Sequence, residues 1–125
     1  MEKVQELYVI LEDRPGALGE LSELLGKNKI NIETIAVFGD SAKLLVKNIN
    51  KTKKMLEKNG YTVELRDVLR VEIDNKPGEL AYLTQRIGHI GINIDLLFVS
   101  IKPGDKTVSV VLDVSDPDMA MTLFK

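Results

Sequence analysis

A chain of 125 residues has room for one modest domain or two very small ones. Its net charge of −2 argues against nucleic acid or an acidic membrane surface as a partner, because either would call for a basic face. The lack of cysteine excludes disulfides, thiol catalysis and zinc-finger chemistry. No apolar run approaches the roughly 18 residues of a membrane span, and the start Met1-Glu2-Lys3-Val4-Gln5 lacks the apolar segment of a secretion signal. A cytoplasmic protein is expected.

Residues 4–12 are rich in β-formers and stop at Asp13-Arg14-Pro15-Gly16, a turn with Pro near the first helical position. Ala17, Leu18, Leu21, Leu24 and Leu25 then recur at helical spacing as far as about Asn28, with Glu20 and Glu23 on the opposite face. Residues 30–38 read as a strand, Gly39-Asp40 as a hairpin turn and residues 42–49 as the returning strand. Asn50 can cap a second helix carrying Met55 and Leu56, and Asn59-Gly60 is a helix-stop signature. Residues 61–65 make a closing strand. The order is βαββαβ, an antiparallel sheet with both helices on one face: the ferredoxin-like plan of an α+β fold.

The same order then recurs. Strand 68–74 leads to the turn Asn75–Gly78 and a helix carrying Leu80, Leu83, Ile87 and Ile90. Strand 92–102, the turn Pro103-Gly104-Asp105 and strand 107–114 follow, and Ser115-Asp116-Pro117-Asp118 opens a last helix. With no Gly or Pro between strands 61–65 and 68–74, a stiff join is expected, such as one long bent strand. The second copy stops where its closing strand should begin. Its sheet is expected either to have three strands or to take one from elsewhere, since an open edge is usually covered.

Sliding the sequence by 62 positions shows the duplication directly. Pro15, Gly16, Leu18, Leu21 and Gly26 meet Pro77, Gly78, Leu80, Leu83 and Gly88, and Ile30-Asn31-Ile32 meets Ile92-Asn93-Ile94. Glu12/Asp74, Asp13/Asn75, Arg14/Lys76 and Glu33/Asp95 are similar pairs. Two copies divide the chain at 1–66 and 67–125.

Asp13-Arg14-Pro15-Gly16-Ala17-Leu18 with Ile30-Asn31-Ile32, and Asn75-Lys76-Pro77-Gly78-Glu79-Leu80 with Ile92-Asn93-Ile94, resemble the ACT domain. Two such motifs at a fixed spacing, each in the right element order, resemble a free-standing tandem of ACT modules. The resemblance implies a regulatory protein that senses a free amino acid and is not itself an enzyme. No cofactor or metal is expected.

A free amino acid needs a site for its carboxylate and one for its ammonium. Unpaired N–H groups at a helix N-terminus suit the carboxylate, and a Gly lets the ligand approach the backbone. The candidate donors are the N–H groups of Gly16, Ala17 and Leu18 and of Gly78, Glu79 and Leu80. For the ammonium, the resemblance points to Asp13 and Asn75, and to Asn31 and Asn93 after the helix. Arg14 completes the candidate set. Serine-sensing members carry a His where Leu11 and Ile73 stand here, so serine is not the expected ligand.

Each candidate also has a plain structural role. Asp13 and Asn75 suit helix caps or turns, Asn31 and Asn93 suit left-handed residues ending a helix, and both Pro-Gly pairs suit the turn itself. His89 reads as an ordinary helix residue, the lysines at 51, 53 and 54 as a solvated face, and Asp116 and Asp118 as a helix start rather than metal ligands. If only one copy binds, the acidic Asp13 favours the first.

In strand 92–102, Ile92, Ile94, Leu96 and Phe98 alternate with Asn93, Asp95, Leu97, Val99 and Ile101, so its later half is apolar on both faces. Helices cover only one face, and a homodimer is expected. An alternative is a regulatory subunit of an amino-acid biosynthetic enzyme such as acetohydroxyacid synthase, with that metabolic enzyme as partner.

Overall fold

The computed structural model describes residues 1–101 and 103–124. In chain order its elements are β1 (Glu2–Ile10), α1 (Ala17–Lys27), β2 (Ile32–Phe38), β3 (Ser41–Val46), α2 (Ile49–Lys58) and β4 (Val63–Asp74). There follow α3 (Glu79–His89), β5 (Ile94–Ser100), β6 (Thr107–Val114) and α4 (Pro117–Met121), then a single 3-10 turn at Thr122–Phe124. The expected strands 61–65 and 68–74 are one strand, β4.

The chain falls into two compact units, Gln5–Arg66 and Met1–Val4 with Asp67 onward. The hydrogen-bonded strand order is β2-β3-β1-β4-β6-β5. The first unit holds β2, β3, the later part of β1 and the start of β4. The second holds the start of β1, most of β4, then β6 and β5.

In the first unit β3 pairs antiparallel with both β1 and β2, with Leu7 opposite Leu44. Period-2 alternation turns Leu7, Val9 and Leu44 towards Leu21 and Leu25 of α1 and Leu56 of α2, all fully buried or nearly so. Burying each such side chain stabilises by about 1.5–3 kcal/mol before the entropy of ordering is counted. Asn50 does not cap α2. The helix starts earlier, with Asn48 in the cap position, and the Asn48 carbonyl accepts the N–H and hydroxyl of Thr52 at 3.0 and 2.9 Å.

In the second unit β4 pairs antiparallel with β6, with Leu69 opposite Leu112, and β6 with β5. Leu69, Val110 and Leu112 pack with Leu83 and Ile87 of α3 and Ala120 of α4. The fourth strand comes from residues 1–4. Met1 packs on this core, the Glu2 carboxylate receives Nε and Nη2 of Arg70 at 2.9 and 2.8 Å, and Lys3 reaches Asp118 at 3.0 Å. The copy that looked unfinished is thus completed from the other end of the chain. Asp116 caps α4 by accepting the Met119 N–H at 3.0 Å, which is the helix-start role expected of this acidic string.

One irregularity changes which residues face the core. In β5 the register shifts between Ile94 and Leu96, leaving Asp95 as an extra residue, and β2 shifts in the same way between Ile32 and Thr34, at Glu33. A bulge reverses the face that the following residues present. In β5, Ile94 packs on the core and then Leu97 and Val99 do, so simple alternation of Ile94, Leu96 and Phe98 on one face does not hold.

Candidate functional site

Gly16 adopts φ 88° and Gly78 φ 91°, the left-handed region, and these glycines cap α1 and α3 with no side-chain cap bond. The turn they make brings the end of each unit's first strand over the start of its helix. A cavity lies there in each unit.

The first cavity, ≈ 320 Å³, is lined by Ile10, Leu11, Glu12, Arg14, Ala17, Glu20, Gly60, Tyr61 and Thr62. The Arg14 guanidinium is held between two carboxylates. Its Nε donates to Glu12, and its Nη2 and Nη1 donate to Glu20 at 2.8 and 3.4 Å. This two-pronged geometry holds the Glu20 carboxyl below its ordinary value of 4.5 and raises the Arg14 guanidinium further. Burial pushes the Tyr61 phenol above its ordinary 10.0, and the charge of Glu20 adds to the shift. Apolar wall, guanidinium, carboxylates and phenol converge in one recess.

The second cavity, ≈ 490 Å³, is lined by Met1, Val71, Glu72, Ile73, Asp74, Glu79, Tyr82, Leu83, Arg86 and Leu123. Five of these residues stand 62 positions after a residue of the first cavity: Glu72 for Ile10, Ile73 for Leu11, Asp74 for Glu12, Glu79 for Ala17 and Tyr82 for Glu20. The place is the same and the chemistry is not. Lys76, the counterpart of Arg14, comes only within 3.8 Å of Asp74 and 3.9 Å of Glu79. Arg86 donates to the Leu123 carbonyl at 2.7 Å, and its guanidinium carbon lies 5.2 Å from the Tyr82 ring centre.

Of the residues singled out from sequence, Arg14 and Ala17 line the first cavity and Glu79 the second. Asp13, Gly16, Leu18 and Asn31 do not line the first, nor do Asn75, Gly78, Leu80 and Asn93 line the second. Asp13 is directed to the β2–β3 turn, its Oδ2 lying 3.8 Å from where a side-chain carbon on Gly39 would sit. Neither Asp13 nor Asn75 caps a helix. Asn75 ties the strand end to the β5–β6 turn, donating its amide to the Asp105 carbonyl at 2.9 Å and its backbone N–H to Lys106 at 2.9 Å. Asn93 is engaged by Asp95 and by Ser115. Nor are Asn31 and Asn93 left-handed: that conformation falls two residues earlier, at Lys29 (φ 57°) and Gly91 (φ 80°). Of the expected backbone donors, Ala17 N–H goes to the Arg14 carbonyl at 3.3 Å and Glu79 N–H to Lys76 at 3.4 Å. The side chains of Leu18 and Leu80 are exposed.

Sequence reasoning missed Glu12, Glu20 and Tyr61. Glu12 and Asp74 form an acidic pair in the repeat, which could have singled them out. Glu20 reads from the helical period as a solvent-facing residue, and only the Gly16 turn brings Arg14 back onto it. Among the described residues no cluster of His, Cys, Asp and Glu suits a metal ion, and no helix is long and apolar enough to cross a membrane.

Residues 6–52 match the family model of the ACT domain, a regulatory, amino-acid-binding module. The fold is similar to that of protein BT0572 from Bacteroides thetaiotaomicron, with 26% identity and TM-score 0.85 over 97% of this chain and 85% of that one. It is also similar to the regulatory subunit of aspartate kinase from Thermus flavus, with 18% identity and TM-score 0.67 over 97% of this chain and 92% of that one. The ligand-free form of that subunit from Thermus thermophilus gives 18% identity and TM-score 0.66 over 100% and 99%. A search of curated proteins found no match.

Proposed function

We propose that this chain is a tandem of two ACT modules, divided near residue 66, that acts as an amino-acid-responsive regulatory protein without catalysis of its own. The observation that carries the reading is the first cavity. A zwitterion offers a carboxylate and an ammonium a few ångströms apart, and Arg14 between Glu12 and Glu20 offers the opposite charges at matching separation. The ligand carboxylate would take Arg14 from Glu20, and the freed carboxylate would receive the ammonium. Ile10, Leu11 and Ala17 supply an apolar wall for a side chain, and Tyr61 a hydroxyl.

The ACT match to residues 6–52, which lies within the first unit, supports the choice of that unit. The likeness in fold to aspartate kinase regulatory subunits is in keeping with a role in controlling a metabolic enzyme. Association into a homodimer belongs to the same proposal: Leu96 and Phe98 of the edge strand β5 stay half-exposed, and Ile101, just after that strand, is 56% exposed.

A thermal-shift screen of the twenty amino acids tests this reading. At least one should raise the melting temperature, by the equivalent of about 2.7 kcal/mol at a hundredfold excess over its Kd. Arg14→Ala should abolish that shift and Asp13→Ala should not. No shift with any of the twenty would overturn the proposal.

A further inference from the structure

Helix α2 carries a stripe of positive charge that neither cavity uses. Lys51, Lys54 and Lys58 recur at i, i+3 and i+7 and so share one face, and Lys47 stands just before the helix. All of them are exposed. Lys53 is paired with Glu57 and Lys27 with Glu23, each at 3.1 Å, but among the described residues no carboxylate pairs with the stripe. The other side of the helix is fixed. Thr52 and Leu56 are fully buried, and the Thr52 hydroxyl donates to the Asn48 carbonyl at 2.9 Å. The lysines therefore stand on a held element rather than on a loose one.

The stripe costs the helix stability. Like charges three and four residues apart repel along a helix. The first turn of α2 holds Lys51 and no acidic residue, against the preference of a helix N-terminus for negative charge. Nor does the fold demand lysine here. In the second unit α4 follows the returning strand as α2 does in the first, yet it is capped by Asp116, has Asp118 in its first turn and carries no basic residue. A local rule broken in one copy and kept in the other marks a surface retained for contact.

We infer that this face of α2 docks a carboxylate-rich segment of another protein. Lys51 to Lys58 covers about 10 Å of helix, so the segment needs acidic side chains aligned over roughly two turns. An acidic protein surface fits the stripe better than other polyanions do. The helix has no aromatic side chain on which bases could stack. Its apolar residues Ile49, Met55 and Leu56 pack on the first core, which leaves none to enter a lipid bilayer. The chain as a whole has net charge −2, which disfavours an extended anionic polymer or surface but not a short segment seated on the lysines. The helix also leads into the wall of the first cavity. Gly60 and Tyr61 line that cavity, and the Tyr61 N–H donates to the Leu56 carbonyl at 3.0 Å. A docked protein therefore touches the element that runs into that wall. The docking does not rest on the cavity being a ligand site, and it can be read with no amino acid present.

The test uses the full chain and a labelled helical peptide with glutamates at i, i+3, i+4 and i+7, followed by fluorescence anisotropy at low salt. A second peptide of the same composition has its glutamates spread around the helix. The aligned peptide should bind about fivefold more tightly than the spread one, the scale of a few exposed ion pairs. Lys54→Glu should weaken its binding by about fivefold. Lys106→Glu, the same charge change at an exposed lysine of the second unit, should weaken it by less than about twofold. Lys51→Glu should weaken binding and yet raise the melting temperature, because it places negative charge at the helix start. A purely structural role for the stripe predicts a lower melting temperature instead. Absence of binding, equal binding of the two peptides, equal losses in Lys54→Glu and Lys106→Glu, or a lower melting temperature in Lys51→Glu would overturn the docking surface. Tighter, Lys54-dependent binding to single-stranded oligothymidylate or to phosphatidylserine vesicles would overturn the choice of a protein as occupant. A negative amino-acid screen with the docking intact would overturn only the reading of the first cavity.

Discussion

The two cavities occupy the same place in duplicated backbones, yet they offer different chemistry. In the first, one guanidinium sits between two carboxylates. In the second, Glu72, Asp74 and Glu79 line the recess, Lys76 comes only within 3.8 Å of Asp74 and 3.9 Å of Glu79, and Arg86 donates to the Leu123 carbonyl. The backbone devices are kept in both: left-handed Gly16 and Gly78, left-handed Lys29 and Gly91, and an extra residue at Glu33 and at Asp95. Positions that steer the chain have stayed in step, while positions that face the recess have diverged. The repeat therefore accounts for the shared backbone, and its departures mark where the two recesses differ.

The largest effects should come from cores that the two units build alike. Leu21 in α1 and Leu83 in α3 are equivalent and almost wholly buried. Leu21→Ala and Leu83→Ala should each cost about 2–5 kcal/mol in chemical denaturation. Hydrogen exchange should place the first loss in residues 5–66 and the second in the other unit. Losses spread evenly over both units by either change would break the comparison.

Next come the turn glycines. A side-chain carbon at Gly16 would come no nearer than 3.8 Å to Arg14 Nη1, and at Gly78 it would meet nothing within 4 Å. The cost of Gly16→Ala or Gly78→Ala is therefore conformational, about 1–2 kcal/mol, and should be equal at the two positions. Ligand response should survive Gly78→Ala, because the first cavity lies in the other unit.

Much of this was legible in advance, for reasons tied to particular residues. Helical spacing of Ala17, Leu21 and Leu25, and of Leu83 and Ile87, placed α1 and α3, because that period decides which side is buried. The start of β1 was hidden: Glu2 and Lys3 are polar, and Glu2 is held by Arg70, 68 residues further along the chain. The bulge at Asp95 was hidden too, since an extra residue leaves no mark in an apolar run. At the site, the glycine turn drew notice to Arg14 and Ala17. Glu20 and Tyr61 reach the recess only through the turn and the return of the chain after α2, and local spacing carries neither.

A smaller difference separates the two helix ends. Lys29 is held at φ 57°, a conformation costly for a residue with a side-chain carbon, whereas the equivalent Gly91 adopts φ 80° freely. Lys29→Gly should stabilise by about 0.5 kcal/mol, the relief of strain outweighing the added freedom of the unfolded chain. Gly91→Ala should cost about 1 kcal/mol by the same reasoning reversed. Thermal melts of the two variants, read side by side, decide this.

The weakest effect belongs to the close Arg14 ion cluster of the first cavity. Glu20 is exposed, so its pairing with Arg14 is screened by water and salt and adds little stability. Its sign is nonetheless definite. Because Arg14 depresses the folded-state value below 4.5, the stabilisation is present above the ordinary carboxylate range and is lost as pH falls through the folded value. Glu20→Gln should flatten that acid limb slightly, and raising the salt concentration should imitate the substitution. Tyr82, at the equivalent place in the second unit, carries no carboxylate, so Tyr82→Phe should leave the limb unchanged. The Tyr61 titration sharpens the contrast. Glu20→Gln should bring its midpoint down towards 10.0 without reaching it, because burial is the larger cause and stays. A midpoint unmoved by the substitution would show that Glu20 does not face the recess in solution.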